Sequence, residues 1–369
     1  MKCDLMLTQR CNLRCRHCPI GRGSKTMPLS VAKKAIDFIF KRARENEIID
    51  LGFFGGDPLL AFDRIKEITG YMKDHRDFHP DRLRLSITTN GTVFSDAMAR
   101  FIRDHNIRFV ISCDGPPEIQ DIFRQTITGT KGSSELVSQT IKYALVALDR
   151  VTVNTVFQPA TFLMLPRIVE YLSDLGVRHI CLTPNYSAQW MSPHLVQLPT
   201  LYRQVALEYV RFRKIGTPHF ISLVDDKIAV ILQNGYSCEQ RCQMGKTAFA
   251  FSPDGGIYPC KQLLGQADER HRIGHLESGI PLERITCHTL PSSPVNTSCE
   301  TCIVRDYCRN WCGYTNFFAS GFYNRVDAFV CASEKAAIRA AIFALQELGD
   351  SAFTKNWDDM DGLFRKWDD

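Results

Sequence analysis

The sequence predicts an α/β fold: a partial (βα)6 TIM-like barrel followed by an irregular, cysteine-rich domain. Short apolar runs alternate with longer segments of helical period as far as about residue 185. Repeated βα units of this kind imply a parallel sheet with right-handed crossovers and a site at the carboxyl ends of the strands. Beyond about residue 190 Pro, Ser and Gly become frequent and cysteines crowd together. Such a composition builds little core of its own and calls for cross-links or metals. At 369 residues the chain also exceeds the roughly 250–300 at which a single core stops growing.

The elements follow in order. A first strand is expected at Asp4–Leu7, then a helix that Ser30 can cap, with Val31, Ala35, Ile36, Phe38 and Ile39 recurring near the helical period. Strands at Ile49–Phe54, Arg84–Thr88, Arg108–Ser112, Thr152–Phe157 and His179–Leu182 alternate with helical segments at Arg64–Lys73, Ala97–His105, Glu135–Ala147 and Met164–Leu175. The last helix, Ser333–Leu348, is rich in Ala, Glu, Lys and Leu and stops at Gly349. The expected organisation is therefore a barrel over 1–190, a connection over 191–235, a cysteine-rich domain over 236–348 and an acidic, aromatic tail over 349–369.

Composition narrows the function. Hydrophobic residues make up 44% and charged residues 23%, as in ordinary globular proteins, and a net charge of +5 without a dense basic run argues against nucleic acid as partner. Apolar stretches fall short of the roughly 18 residues of a membrane span, and the N-terminus lacks a signal-peptide core. The protein is expected to be cytoplasmic, without a membrane partner. In a reducing compartment 15 cysteines point to metal rather than to disulfides.

Cys11, Cys15 and Cys18 form one cysteine group, directly after the first strand, where a barrel places reacting groups. A [4Fe–4S] cluster has four iron corners, so three thiolates leave one open, whereas zinc is the plainer alternative. Gly55, Gly56 and Asp57 follow the second strand; glycines permit close approach of a ligand, and a carboxylate can accept from an ammonium. The segments SITTNG and SCDGP close the third and fourth strands. The second cysteine group comprises Cys238, Cys242, Cys260, Cys299, Cys302, Cys308, Cys312 and Cys331. Cys3, Cys113, Cys181 and Cys287 read as packed thiols. GRGSKT at 21–26 lacks the ending of a phosphate loop.

The CxxxCxxC motif after the first strand and GGDP after the second resemble the radical S-adenosylmethionine (SAM) superfamily, with Asp57 where the family often has Glu and His17 where many members have an aromatic. The resemblance implies that the amino and carboxylate groups of SAM chelate the open iron of a cluster on Cys11, Cys15 and Cys18. It also implies a contact of Gly55, Gly56 and Asp57 with SAM, of Ser112 with its ribose and of Arg124 with its carboxylate. The spacing of Cys242, Gly255, Cys260, Cys299, Cys302, Cys308, Cys312 and Cys331 resembles the SPASM extension. By that resemblance Cys242, Cys260 and Cys312, with Cys238 as candidate fourth ligand, hold one auxiliary [4Fe–4S] cluster, and Cys299, Cys302, Cys308 and Cys331 hold a second. Three clusters, SAM and an external one-electron reductant are thus expected.

What the resemblance implies is an oxidoreductase. SAM cleavage gives a 5′-deoxyadenosyl radical, which abstracts hydrogen from a substrate carbon, and the product is oxidised or cross-linked. Family habit favours a ribosomally made peptide or protein side chain; the alternative is a dehydrogenase or epimerase of a sugar or aminocyclitol intermediate. The chain opens on the first barrel strand, so a peptide would be recognised by the barrel mouth, the SPASM face or a separate recognition protein. Anaerobic sulfatase-maturating enzymes carry an aspartate after the cysteine that matches Cys260, whereas Lys261 follows here. Asn154, Gln158, Asn185 and Tyr186 are candidates to line the cavity.

Overall fold

The computed structural model describes residues 1–21, 23–129, 132–238, 240–241, 244–264, 269–281 and 297–349. Cys242, Cys287 and the tail beyond Gly349 lie outside them. The chain divides into two compact units, each discontinuous in sequence. One comprises Met1–Thr155, Leu172–Val177 and Cys242–Leu290; the other comprises Val156–Tyr171, Arg178–Arg241 and Pro291–Asp369.

In the first unit β1 (Lys2–Thr8) leads to the short β2 (Leu13–Cys15), α1 (Leu29–Arg42), β3 (Ile49–Gly55) and α2 (Phe62–Lys73). Then come β4 (Leu83–Thr89), α3 (Asp96–Asp104), β5 (Arg108–Ser112), α4 (Pro117–Phe123), β6 (Arg124–Thr126), α5 (Ser134–Ala147) and β7 (Val151–Phe157). The main strands pair in parallel, β1 with β3, β3 with β4, β4 with β5 and β5 with β7, as the βα alternation predicts. Along β1, Cys3 and Leu5 share one face and Asp4 and Met6 the other, up to a register shift between Met6 and Thr8. α1 buries Ala32, Ala35, Ile36, Ile39 and Phe40; of the expected stripe Ala35, Ile36 and Ile39 are buried, while Val31 and Phe38 are half-buried.

The start of α1 differs from expectation. Pro28 occupies the N-cap in extended conformation, φ −61° and ψ 147°, and no side chain caps the helix. Helical geometry therefore begins at Leu29 and leaves Ser30 two positions past the cap. In α3 a serine does serve: Ser95 Oγ accepts the Met98 N–H at 3.4 Å.

A segment expected in the cysteine-rich part joins the same sheet. β10 (Ala248–Phe251) pairs in parallel with β1 from Lys2 to Leu5, and a hairpin brings β11 (Gly256–Tyr258) antiparallel to β10. Met6, Phe54, Ala250, Tyr258 and Leu264 form one buried cluster there.

The second unit holds α6 (Leu165–Asp174) in part, β8 (His179–Pro184), α7 (Ser192–Lys214), β9 (Phe220–Ile221) and α8 (Ser222–Leu232). β8 and β9 pair in parallel. The helix Ala328–Leu348 packs on α7 and α8 and stops at Gly349, whose left-handed φ of 64° ends the helix where the sequence predicts. Among the described residues no helix is long and apolar enough to cross a membrane.

Candidate metal and cofactor centre

β1 ends at Thr8, and the loop that follows carries Cys11, Cys15 and Cys18. Cys15 lies on β2, whose antiparallel partner β6 sets it opposite Arg124. The glycines of β3 explain how this loop sits. Cβ atoms built on Gly55 and Gly56 would come within 2.2 Å of the carbonyl oxygens of Thr8 and Arg10 respectively. Gly56 N–H donates to Thr8 O at 2.7 Å and Asp57 N–H to Arg10 O at 2.9 Å. What approaches the two glycines is thus the protein's own backbone, which bolts the cysteine loop to the end of β3.

Asp57 is 1% exposed. Its Oδ1 accepts Leu59 N–H at 2.9 Å, its Oδ2 accepts Asn90 N–H at 2.8 Å, and the Thr89 hydroxyl lies 3.1 and 2.9 Å from the two oxygens. Burial raises its pKa to about 6, and the donors from Asn90, Leu59 and Thr89 hold it from rising further. The carboxylate that the sequence offers to an ammonium is occupied in tying the end of β3 to the end of β4.

Arg124, 6% exposed, is engaged in the same manner. It grips Asp114 with both prongs, Nη2 to Oδ1 at 2.9 Å and Nε to Oδ2 at 2.9 Å, while Nη1 stands 4.0 Å from Cys15 Sγ. His17 Nε2 is 3.5 Å from Asp114 Oδ2, and burial, with the Arg124 charge second, lowers its pKa to about 4, so the ring is neutral at pH 7. Ser112 ends β5, half-buried, in register with Asn154 of β7.

The three thiols sense one another. Burial pushes Cys15 up to about 11; the Arg124 charge opposes it, and Cys18 and Cys11 add to it. Cys11 is raised by burial and eased by N–H donors from Leu13 and Asn90. Unbridged thiols on one loop at the carboxyl end of a parallel strand, with donors aimed at sulfur, fit a four-iron cluster with one open corner. Among the described residues no three His, Cys, Asp or Glu side chains are gathered tightly enough for a single metal ion.

In the second unit Cys299, Cys302 and Cys308 lie within electrostatic reach of Cys331. Burial raises Cys331, and the neighbouring Cys299 and Cys302 add to the rise; Cys331 in turn adds to that of Cys308. Cys238 and Cys312 also belong to this unit and Cys260 to the first. Lys261, beside Cys260, has its Nζ 3.2 Å from Asp4 Oδ1, and the carboxylate occupies a notch that only Gly52 leaves open, since a Cβ there would stand 2.3 Å from that oxygen. Asn185 and Gln158 bond at 3.5 Å, and Tyr186 sits among Tyr314 and Phe329.

Sequence reasoning missed the buried pair Lys227–Glu334, 2.6 Å apart, in the second unit. Burial works against the Lys227 charge, but Glu334 outweighs it and holds the pKa above its ordinary value. A lysine among Ile, Ala and Val on α8 was the available signal.

Comparison with known proteins accords with this geometry. Residues 5–172 match the Radical SAM superfamily. A cysteine-type anaerobic sulfatase-maturating enzyme of Clostridium novyi is 26% identical over 330 residues, 83% of this chain and 85% of that one. An uncharacterized protein of Methanocaldococcus jannaschii is 32% identical over 184 residues, and the match spans 48% of this chain and 59% of that one. Among solved structures, anSMEcpe with bound AdoMet superposes with a TM-score of 0.78 at 17% identity, covering 94% of this chain and 98% of that one. Streptococcus suis SuiB bound to precursor peptide SuiA gives 0.62 at 14%, covering 89% and 75%. These likenesses establish the partial TIM-type barrel as the fold.

Proposed function

We propose that this chain, whose residues 5–172 match the Radical SAM superfamily, is a SPASM-type radical SAM oxidoreductase that oxidises or cross-links a side chain of a ribosomally made peptide or protein. The observation that carries this reading is the extent of the likeness to the Clostridium novyi maturase: 330 residues, 83% of this chain, continue it past the radical SAM domain into the cysteine-rich part. Lys261, paired with Asp4 where sulfatase maturases have an aspartate, supports a target other than a sulfatase.

When bound, the open-corner cluster and SAM supply a 5′-deoxyadenosyl radical for hydrogen abstraction. Cys11, Cys15 and Cys18 would hold that cluster. Cys299, Cys302, Cys308 and Cys331 would hold one auxiliary cluster, and Cys238, Cys242, Cys260 and Cys312 another. The chain's own residues supply order: Gly55 and Gly56 seat the cysteine loop, Asp57 locks the strand ends, and the Asp114–Arg124 pair keeps a cation beside Cys15. Ser112 is offered to the SAM ribose. An external one-electron reductant completes the system, and the peptide would be recognised by the barrel mouth, the SPASM face or a separate recognition protein.

The test incubates reduced enzyme and SAM with peptides encoded by neighbouring open reading frames and, separately, with cell metabolites, following deoxyadenosine and substrate mass. A peptide that loses 2 Da, as removal of two hydrogens requires, supports the reading. Deoxyadenosine formation stimulated by a metabolite and by no peptide overturns it.

A further inference from the structure

The thiols of the first loop are not equivalent, and a ring of side chains from the end of β4 makes the difference. Asn90 Oδ1 accepts the backbone N–H of Thr92 at 2.9 Å and its hydroxyl at 2.6 Å. Thr92 Oγ1 accepts from Asn12 Nδ2 at 2.7 Å, and Asn12 Oδ1 accepts from Asn90 Nδ2 at 2.8 Å. Every orientation in this ring is determined. A backbone N–H can only donate, so the oxygen of Asn90 must face Thr92 and its nitrogen must face the cysteine loop. One hydrogen of that nitrogen serves Asn12, and the other serves Cys11 Sγ at 3.6 Å.

Asn90 cannot easily turn away: it is 7% exposed, and its backbone N–H is held by Asp57 Oδ2 at 2.8 Å. Cys11 also receives the Leu13 N–H at 3.4 Å. Cys18, by contrast, is exposed and faces the carbonyl oxygen of Ile20 at 3.4 Å, which can give an ionised sulfur nothing. Cys15 has the Arg124 guanidinium at 4.0 Å. The directed N–H bonds thus concentrate on Cys11.

We propose that Asn90 is a positioning residue whose N–H, set by the Asn12–Thr92 ring, raises the reduction potential of the open-corner cluster; the inference rests on the radical SAM reading of Cys11, Cys15 and Cys18. A donor to a ligand sulfur favours the state with more negative charge on that sulfur, which is the state reached when the external reductant delivers one electron. No bond in the ring is made or broken.

The experiment is a potentiometric titration of the anaerobic holoenzyme, following the electron paramagnetic resonance signal that SAM perturbs, with iron content measured alongside. Asn90→Ala should weaken electron affinity about tenfold, equivalent to about 59 mV for a one-electron couple, with iron unchanged. Thr92→Val, which frees the amide but keeps Asn90, should shift the potential in the same direction by less, and Thr92→Ser, which retains the hydroxyl, should restore the parent value. An unchanged potential in Asn90→Ala with its iron intact overturns the proposal. Loss of the SAM-perturbed signal in both Asn90→Ala and Thr92→Val also overturns it, because the ring would then build the loop rather than tune it. A parent enzyme with no SAM-perturbed signal overturns the radical SAM reading itself, and this proposal with it.

Discussion

The loop of Cys11, Cys15 and Cys18 and the segment of Cys299, Cys302, Cys308 and Cys331 present the same chemistry but are ordered by different forces. The first is pinned by regular structure: a β2–β6 ladder, backbone bonds from Gly56 and Asp57, and buried polar groups at the ends of β3, β4 and β5. The second has a four-residue helix at Thr297–Glu300, a 3-10 turn at Arg305–Tyr307 and an eight-residue helix at Gly313–Ser320, and Cys331 stands in the first turn of the helix Ala328–Leu348. It rests on an apolar cluster of Ile231, Val304, Ile338, Ala341, Ile342 and Leu345, against which Cys302 and Tyr307 pack. One buried ion pair crosses it. Lys227 Nζ reaches Glu334 at 2.6 Å and Tyr307 O at 3.1 Å, and Glu334 also accepts Arg309 N–H at 2.6 Å. Motif spacing alone does not show whether the chain prepares a metal site or the metal prepares the chain.

The sharpest way to break this contrast is to empty each site. Cys15→Ala should abolish SAM cleavage and remove about one third of the iron, one cluster of three, while protease resistance stays at the parent level. Cys302→Ala, or anaerobic chelation, should instead speed cleavage within 297–331 at least about tenfold, because metal binding there is folding energy. Limited proteolysis with mass spectrometry reads both; equal resistance in the two variants would erase the distinction.

A smaller effect should follow from the ion pair. Glu334→Ala leaves Lys227, whose side chain is 4% exposed, charged and unpaired, and should cost about 3–5 kcal/mol in chemical unfolding. Replacing both, Lys227→Met with Glu334→Leu, should recover at least half of that, whereas no recovery would mean that the Tyr307 and Arg309 contacts carry the stability.

The smallest expected effect tests the first site's polar frame through pH. Asp57 is raised by burial to about 6, above the ordinary aspartate value of 3.8. A raised carboxyl contributes stability that is complete below the unfolded pKa and is lost as pH rises through the folded one. Between about pH 4 and pH 6 this share should decline by at most about 3 kcal/mol, and it should be missing in Asp57→Ala. Carbon-detected nuclear magnetic resonance of the Asp57 carboxyl reads the titration directly, and a midpoint near 4 would show that the donors from Leu59, Thr89 and Asn90 outweigh burial.

Much of the fold was legible because it is written locally. The expected strand Arg108–Ser112 coincides with β5, and Ile49–Phe54 differs from β3 by one residue. Period and alternation depend on near neighbours, so they survive without tertiary knowledge. The start of α1 was missed because Pro28 overrode the capping preference of Ser30. The pairing of β10 with β1 was missed because strand partners so distant in sequence leave no local trace.

By itself, then, the sequence determined the order of strands and helices through the barrel and the placing of Cys11, Cys15 and Cys18 at the end of the first strand. It likewise marked the later cysteines as a metal-type spacing within an irregular segment. The tertiary structure alone decided which polar groups near those cysteines are already engaged: Asp57 by Thr89 and Asn90, Arg124 by Asp114, and Asn90 by Asn12, Thr92 and Cys11. The physical reason is that a buried donor or acceptor must find a partner wherever the fold brings one. At the carboxyl end of a parallel sheet those partners come from successive strand ends, here as far apart in the chain as Asn12 and Thr92.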